Sequence, residues 1–177
     1  MEKIGVFCSA SENIDQDFFE ATGQLGEWMG REKKTLVYGG TNLGLMEHIA
    51  QAVKMNGGKV IGVVPAIIET NGRTSSIPDQ IIPTTNLSDR KDIITKESDI
   101  LVALPGGIGT LDEAFHVISA ASIGYHSKKV IFYNINGFYN SLVNVLKEME
   151  TKNFIRSQQH DTYAVADSLK ELAALLK

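Results

Sequence analysis

The chain predicts a doubly wound α/β sandwich: a mostly parallel sheet flanked by helices. Two observations carry this. Short β-branched runs alternate with longer helix-patterned segments from one end of the 177 residues to the other. The runs are apolar along their whole length, as strands buried on both faces of a parallel sheet are. A third observation limits the answer to one unit, residues 1–177, because neither linker, internal repeat nor low-complexity tract interrupts the alternation.

In chain order, the predicted strands are IGVF (4–7), TLVY (35–38), KVIGVV (59–64), QIIP (80–83), DILVAL (99–104), KVIFYN (129–134) and TYAVA (162–166). The segments 15–31, 43–56, 87–97, 109–122 and 138–152 are long enough for crossover helices. SLKELAALLK closes the chain as a last helix, with Asp167 or Ser168 as its N-cap. Helix 15–31 carries Phe18, Phe19, Leu25, Trp28 and Met29, more large apolar groups than one core-facing stripe needs, so contact with a partner chain stands beside core packing as its reading. The least regular stretch is 65–80, PAIIETNGRTSSIPDQ, which reads as a lid, a partner contact or a plain surface loop.

Hydrophobic residues make up 43% and charged residues 21%, the mix of an ordinary globular protein. A net charge of −4 without any Lys/Arg block argues against nucleic acid as partner. Cys8 is the only cysteine, so no internal disulfide is expected and a reducing, cytoplasmic setting fits. The opening MEKIGVFCSASEN reads as a first strand instead of a signal peptide, since Glu2 spoils the basic segment and the apolar run is short. No run approaches the roughly 18 apolar residues of a membrane span.

Ligands of open α/β sheets bind at the carboxyl ends of the strands. Two glycine clusters fall there: YGGTNLGLMEHIA after the second strand and LPGGIGTLDEAF after the fifth. Either is a tight strand-to-helix turn or a phosphate cradle, since glycine admits close backbone approach and a helix start offers free N–H groups. Two of them at one edge favour a phosphate-bearing ligand. Neither contains the lysine of a P-loop, which disfavours ATP or GTP hydrolysis. The first turn, CSASEN, lacks the dinucleotide fingerprint. A mononucleotide or a sugar phosphate is left.

Glu113 and Asp112 would lie in the first turn of the helix starting near Gly109, where acids suit the dipole. Glu113 stands out by following Thr110, a hydroxyl donor at the proposed phosphate site, by three residues. Arg90 and Lys91 sit near the start of helix 87–97, the wrong end for cations, and could meet a phosphate, orient Glu113, or simply be solvated. Asn86 or Ser88 would cap that helix. His48, His116, His126 and His160 form no ligand set, so no metal is expected. Cys8 reads as a small buried residue near the cleft before it reads as a nucleophile.

VYGGTNLGLM, SDRK and LPGGIGTLDE, in that order, resemble the Lonely Guy family, whose hallmark is P-G-G-x-G-T-x-x-E. The likeness extends over IGVFCSAS, IGYHSKKVIFYNINGFYN and the final helix. It implies a Rossmann-like fold and hydrolysis of the N-glycosidic bond of purine or cytokinin nucleoside 5′-monophosphates, giving free base and ribose 5-phosphate. AMP and isopentenyladenosine monophosphate are the substrates it suggests, with no metal or redox cofactor and with homodimers as the usual assembly. Arg90 and Glu113 match the family's catalytic pair. Gly106, Gly107, Gly109 and Thr110 match its phosphate loop, Gly39, Gly40 and Gly44 the other glycine loop, and Lys91 accompanies Arg90 on the substrate side. Departures are Thr41 and Glu47 where glycines are common, Leu87 for a methionine, and Ser122 for a glutamine. Related folds include molybdenum cofactor carriers, which hold a phosphorylated pterin without cleaving it, and these form the alternative reading. Members were once labelled lysine decarboxylases, yet no lysine here has a context that marks it for a Schiff base.

Overall fold

Residues 1–155 and 161–177 are described by the structure, a computed structural model. Seven strands form a single sheet in the order β4-β3-β2-β1-β5-β6-β7. They are β1 (Lys3–Phe7), β2 (Thr35–Tyr38), β3 (Lys59–Pro65), β4 (Gln80–Thr84), β5 (Ile100–Ala103), β6 (Val130–Tyr133) and β7 (Tyr163–Ala166). Every pairing within the sheet is parallel. Period-two alternation assigns their side chains to two cores. Ile4, Val6, Leu36, Tyr38, Ile100, Val102 and Ile131 face one layer, and Val37, Leu101, Ala103, Val130 and Phe132 face the other. Burial on both faces is why these strands read as continuous apolar runs.

Helices α1 (Gln16–Arg31), α2 (Gly44–Met55) and α7 (Leu169–Leu175) cover the first face. Helices α4 (Leu87–Glu97), α5 (Ile108–Ser122) and α6 (Asn140–Thr151) cover the second. Ser168 caps α7 by accepting from the Glu171 amide, while Glu171 accepts from the Asp167 amide, a reciprocal arrangement that satisfies two donors. Edge strand β4 contains Pro83, whose missing N–H is tolerated at a sheet edge.

The sequence reading needs correction in one place. Residues 66–70 of the irregular stretch form a short helix, α3 (Ala66–Thr70), and the stretch returns to pair Thr74 with Thr41 in an isolated bridge. The large apolar groups of α1 are absorbed within the chain. Leu25 and Met29 are fully buried, while Phe18, Phe19 and Trp28 pack partly buried against the same core, with edge-on ring contacts to Phe138 and His48. α1 covers both the sheet and α2, so it uses more than one stripe, the core packing that the sequence set beside partner contact.

Candidate active site

Sheet order reverses between β1 and β5, and at such a switch point the loops leaving the two strands diverge and open a crevice. The loop after β1 stays beside both glycine loops through its backbone. Ser9 N–H donates to the carbonyl of Pro105 at 3.3 Å, and the amide of Leu45 donates to Ser9 carbonyl at 3.0 Å. Tyr139, itself buried, fixes the end of β5 by donating its hydroxyl to Leu104 carbonyl at 2.6 Å.

In that crevice lies a cavity of about 330 Å³ lined by Cys8, Ser9, Ala10, Met46, Leu87, Arg90, Lys91, Gly107, Gly109, Thr110, Asp112 and Glu113. Six of the ten residues expected at the site therefore meet there: Arg90, Lys91, Gly107, Gly109, Thr110 and Glu113. Gly39, Gly40, Gly44 and Gly106 are not part of the lining. A side chain on Gly106 would run into Thr110, and Gly40 and Gly44 adopt positive φ of 70° and 55°. Packing and the course of the chain are thus enough to require glycine at 40, 44 and 106. Sequence reading missed Ser9, Ala10 and Met46 as wall residues. The switch point alone marks the loop after β1, but a motif search finds nothing in its side chains.

Helix α5 starts at Gly107 as N-cap, with no side chain capping it. The first backbone bond closing it runs from Leu111 N–H to Gly107 carbonyl, so the amides before Leu111 have no helical acceptor, and Gly107, Gly109 and Thr110 line the cavity. Start of α5 at Ile108 also moves Asp112 and Glu113 beyond its first turn, where the dipole effect has faded. Their positions have other reasons. Asp112 is more than half exposed and receives two hydrogen bonds from Lys91 Nζ, at 2.9 and 3.1 Å. Glu113 is buried and faces Arg90, with Oε1 to Nη2 at 3.4 Å.

α4, in contrast, is capped by Asn86, which accepts from the amides of Ser88 and Asp89. That leaves Arg90 and Lys91 to point across to α5 instead of serving their own helix. Burial pushes the Glu113 carboxyl above the usual glutamate range, and the Arg90 guanidinium pulls in the opposite direction without cancelling it. The Cys8 thiol, buried and next to Glu113, is pushed far up, which is the state of an inert thiol and not of a nucleophile.

The departures from the family pattern fall outside the catalytic pair. Thr41 donates to Arg73 carbonyl at 3.0 Å and so ties the 65–80 stretch to the first glycine loop. Glu47 is not in the lining; one of its carboxylate oxygens is buried with no hydrogen bond among the described residues. Ser122 donates to Ser119 carbonyl of its own helix. Leu87 is in the lining, 60% exposed. Among the described residues no cluster of three or more His, Cys, Asp and Glu could hold a metal, and no helix is long and apolar enough to cross a membrane. His160 lies outside the described residues; His116 pairs with Asp92 between α4 and α5 at 2.9 Å.

An uncapped helix start facing a buried carboxylate–guanidinium pair at the switch point of a parallel sheet defines a Rossmann-like protein. Comparison with known proteins gives the family. The family described as "Possible lysine decarboxylase" matches residues 46–176. A cytokinin riboside 5′-monophosphate phosphoribohydrolase of Arabidopsis thaliana is 32% identical over 176 residues, covering 99% of this chain and 77% of its own length. Another from the same plant is 35% identical, covering 99% and 83%. The chain belongs to the Lonely Guy family. In fold it is similar to the molybdenum cofactor carrier protein of Chlamydomonas reinhardtii, with a TM-score of 0.76 at 23% identity over 99% of this chain and 95% of that one. The molybdenum cofactor binding protein of Rippkaea orientalis gives 0.70 at 23% identity, covering 99% and 94%.

Proposed function

We propose that the protein hydrolyses the N-glycosidic bond of purine or cytokinin nucleoside 5′-monophosphates, releasing the base and ribose 5-phosphate. The observation that carries this reading is the single cavity shared by the open start of α5 and the buried Glu113–Arg90 pair. Membership of a family with relatives named for this reaction supports it.

The free amides at Gly107, Gly109 and Thr110, with the Thr110 hydroxyl, hold the 5′-phosphate, an arrangement favoured by the helix dipole. Binding the phosphate fixes the ribose against Glu113, so contacts remote from the breaking bond lower its barrier. As the bond from C1′ to the base nitrogen lengthens, positive charge spreads over C1′ and the ring oxygen. Ionised Glu113 stabilises that charge and accepts one proton from the water whose hydroxyl adds to C1′; the departing base takes up one proton from solvent, and Glu113 returns its own to solvent. Arg90 keeps enough negative charge on Glu113 for the task, and burial keeps that carboxylate basic. Lys91, restrained by Asp112 at the cavity wall, adds positive charge on the phosphate side. The chain pairs as a homodimer. Exposed Leu87, Ile108, Ile123 and Tyr125 on and beside α4 and α5 support this, and a monomeric mass by light scattering would remove it.

The test is chromatography of the purified protein incubated with AMP and, separately, with isopentenyladenosine 5′-monophosphate, alongside Glu113→Gln. Free base should appear with wild type, and the variant should be slower by roughly 10²–10⁴-fold, the usual worth of a general base. With wild type, activity should fall as pH drops through a midpoint above the usual glutamate value, because Glu113 must be ionised and burial raises its pKa. Release by the variant at the wild-type rate would overturn the role of Glu113. No release from either nucleotide by folded protein, with a tightly bound pterin co-purifying, would establish the carrier reading instead.

A further inference from the structure

Gly39, at the end of β2, is the one glycine of its loop for which backbone freedom gives no reason. Its φ lies outside the left-handed region, so alanine could follow the same backbone. Space is the reason. A Cβ built there would overlap Arg90 Nη2 and lie 2.8 Å from Cζ and 3.2 Å from Nε, and these guanidinium atoms are its three nearest neighbours. The same Nη2 is the atom that faces Glu113. Arg90 is held otherwise by little: its side chain is 12% exposed, Nε is buried and makes no hydrogen bond among the described residues, and the pair to Glu113 spans 3.4 Å. A guanidinium without a full hydrogen-bond set is positioned by the surfaces around it, and packing this dense admits no extra methyl.

We infer that Gly39 is a positioning residue for Arg90: its bare Cα is the floor on which the guanidinium lies, and so it sets the aim of the Arg90–Glu113 pair without touching the substrate. This rests on the proposed reaction for its consequence in catalysis, though not for its geometry. The groups facing Glu113 are Arg90 and Lys91 from α4, Asp112 from α5 and the Cys8 thiol after β1. Of these, Arg90 supplies the three atoms nearest to a Cβ at Gly39. A methyl at 39 displaces the guanidinium, leaves the burial of Glu113 in place, and weakens the larger of the two opposing charges.

The experiment compares wild type, Gly39→Ala, Arg90→Ala and the double variant in three readouts: kcat and KM on AMP, thermal midpoint, and carbon-13 NMR titration of the Glu113 carboxyl, assigned through Glu113→Gln. Gly39→Ala should lower kcat by roughly 10–100-fold, the scale of an ångström's misplacement. Its thermal midpoint should stay within a few degrees, and its Glu113 should titrate at higher pH than in wild type. Arg90→Ala should shift Glu113 in the same direction, and the double variant should match Arg90→Ala, because two changes acting through one group do not add. Wild-type titration and kcat in Gly39→Ala, or losses that multiply in the double variant, would overturn the inference. If Gly39→Ala does not fold, removing Arg90 should restore folding, and failure in both backgrounds would equally overturn it. If wild type cleaves no nucleotide, the reaction is wrong, and the titration still decides on Gly39 alone.

Discussion

The two glycine loops read almost alike in sequence and are used in opposite ways. Both leave a parallel strand at the carboxyl edge and run into a helix without a side-chain cap. In the loop after β2 the glycines face protein. Gly39 lies against Arg90, Gly40 takes positive φ against Val64, and Gly44 takes positive φ with its Cα next to the backbone of Ala10 and Ser11. At the start of the helix that follows, α2, the Leu45 amide is satisfied by Ser9 carbonyl, while Met46 reaches the cavity wall. In the loop after β5, a side chain at Gly107 or Gly109 would meet nothing within 4 Å, and the start of α5 is open to the cavity. Glycine makes room in both cases, once for the protein's own atoms and once for an open cavity. A glycine-rich turn is therefore evidence of close approach, and only the surrounding atoms say what approaches.

The largest expected contrast comes from adding one methyl to each loop. Gly44→Ala forces a left-handed backbone onto alanine and drives its Cβ to 2.6 Å from Ser11 carbonyl oxygen. It should cost about 2–4 kcal/mol, combining αL strain with backbone displacement. In thermal melting that is a fall of roughly 5–15 °C for a chain of this size. An unchanged melting temperature would break the assignment of Gly44 to the scaffold.

Gly109→Ala lies in the first turn of α5 with open space around it. Stability should hold or rise by up to about 1 kcal/mol, as it does when alanine replaces a helical glycine. KM for AMP should rise by roughly tenfold, equal to about 1.4 kcal/mol of binding, because the methyl enters phosphate space. An unaltered KM would remove Gly109 from the ligand side of the comparison.

The smallest effect is expected at the opposite edge of the sheet, where Asp99 accepts from the amides of Lys3 and Glu2 at 2.9 and 2.8 Å. Those two N–H groups hold its carboxyl below the usual aspartate range. A depressed pKa means that the stabilisation is present at neutral pH and is lost as pH falls through the folded-state value. Asp99→Asn should cost less than about 1 kcal/mol in denaturant unfolding at pH 7, because Asp99 is exposed and water screens its charge, less still as pH approaches 3, and leave kcat untouched. A loss of activity would show that the two edges are coupled after all.

Much of the fold was legible because burial on both sheet faces leaves a periodic signature that needs no knowledge of distant neighbours. TLVY and LSDRKDIITKE coincide with β2 and α4, and the other elements expected within the described residues differ by a residue or two at their ends. α3 escaped because five residues are too few to carry a helical period. Within the site, glycine spacing and the acid three residues after Thr110 pointed to Glu113, and the misplaced cations of α4 pointed to Arg90. Reading Glu113 as a helix-start acid failed because the true start lies at Ile108, and helix ends are set by backbone geometry that sequence marks weakly.

By itself, the sequence determined the alternation of buried strands and crossover helices, the two glycine turns and the chemical types available at their ends. These follow from local periodicity and from the conformational freedom of single residues. The tertiary structure alone decided the rest. It brought the loop after β1 between two turns that lie 60-odd residues apart in the chain. It set a guanidinium on Gly39 and against a buried carboxylate, and it bonded an amide of the α2 start to Ser9 while leaving the start of α5 beside the cavity. Those outcomes depend on which atoms occupy the space beside a residue, and that space is filled by strands and helices remote in sequence.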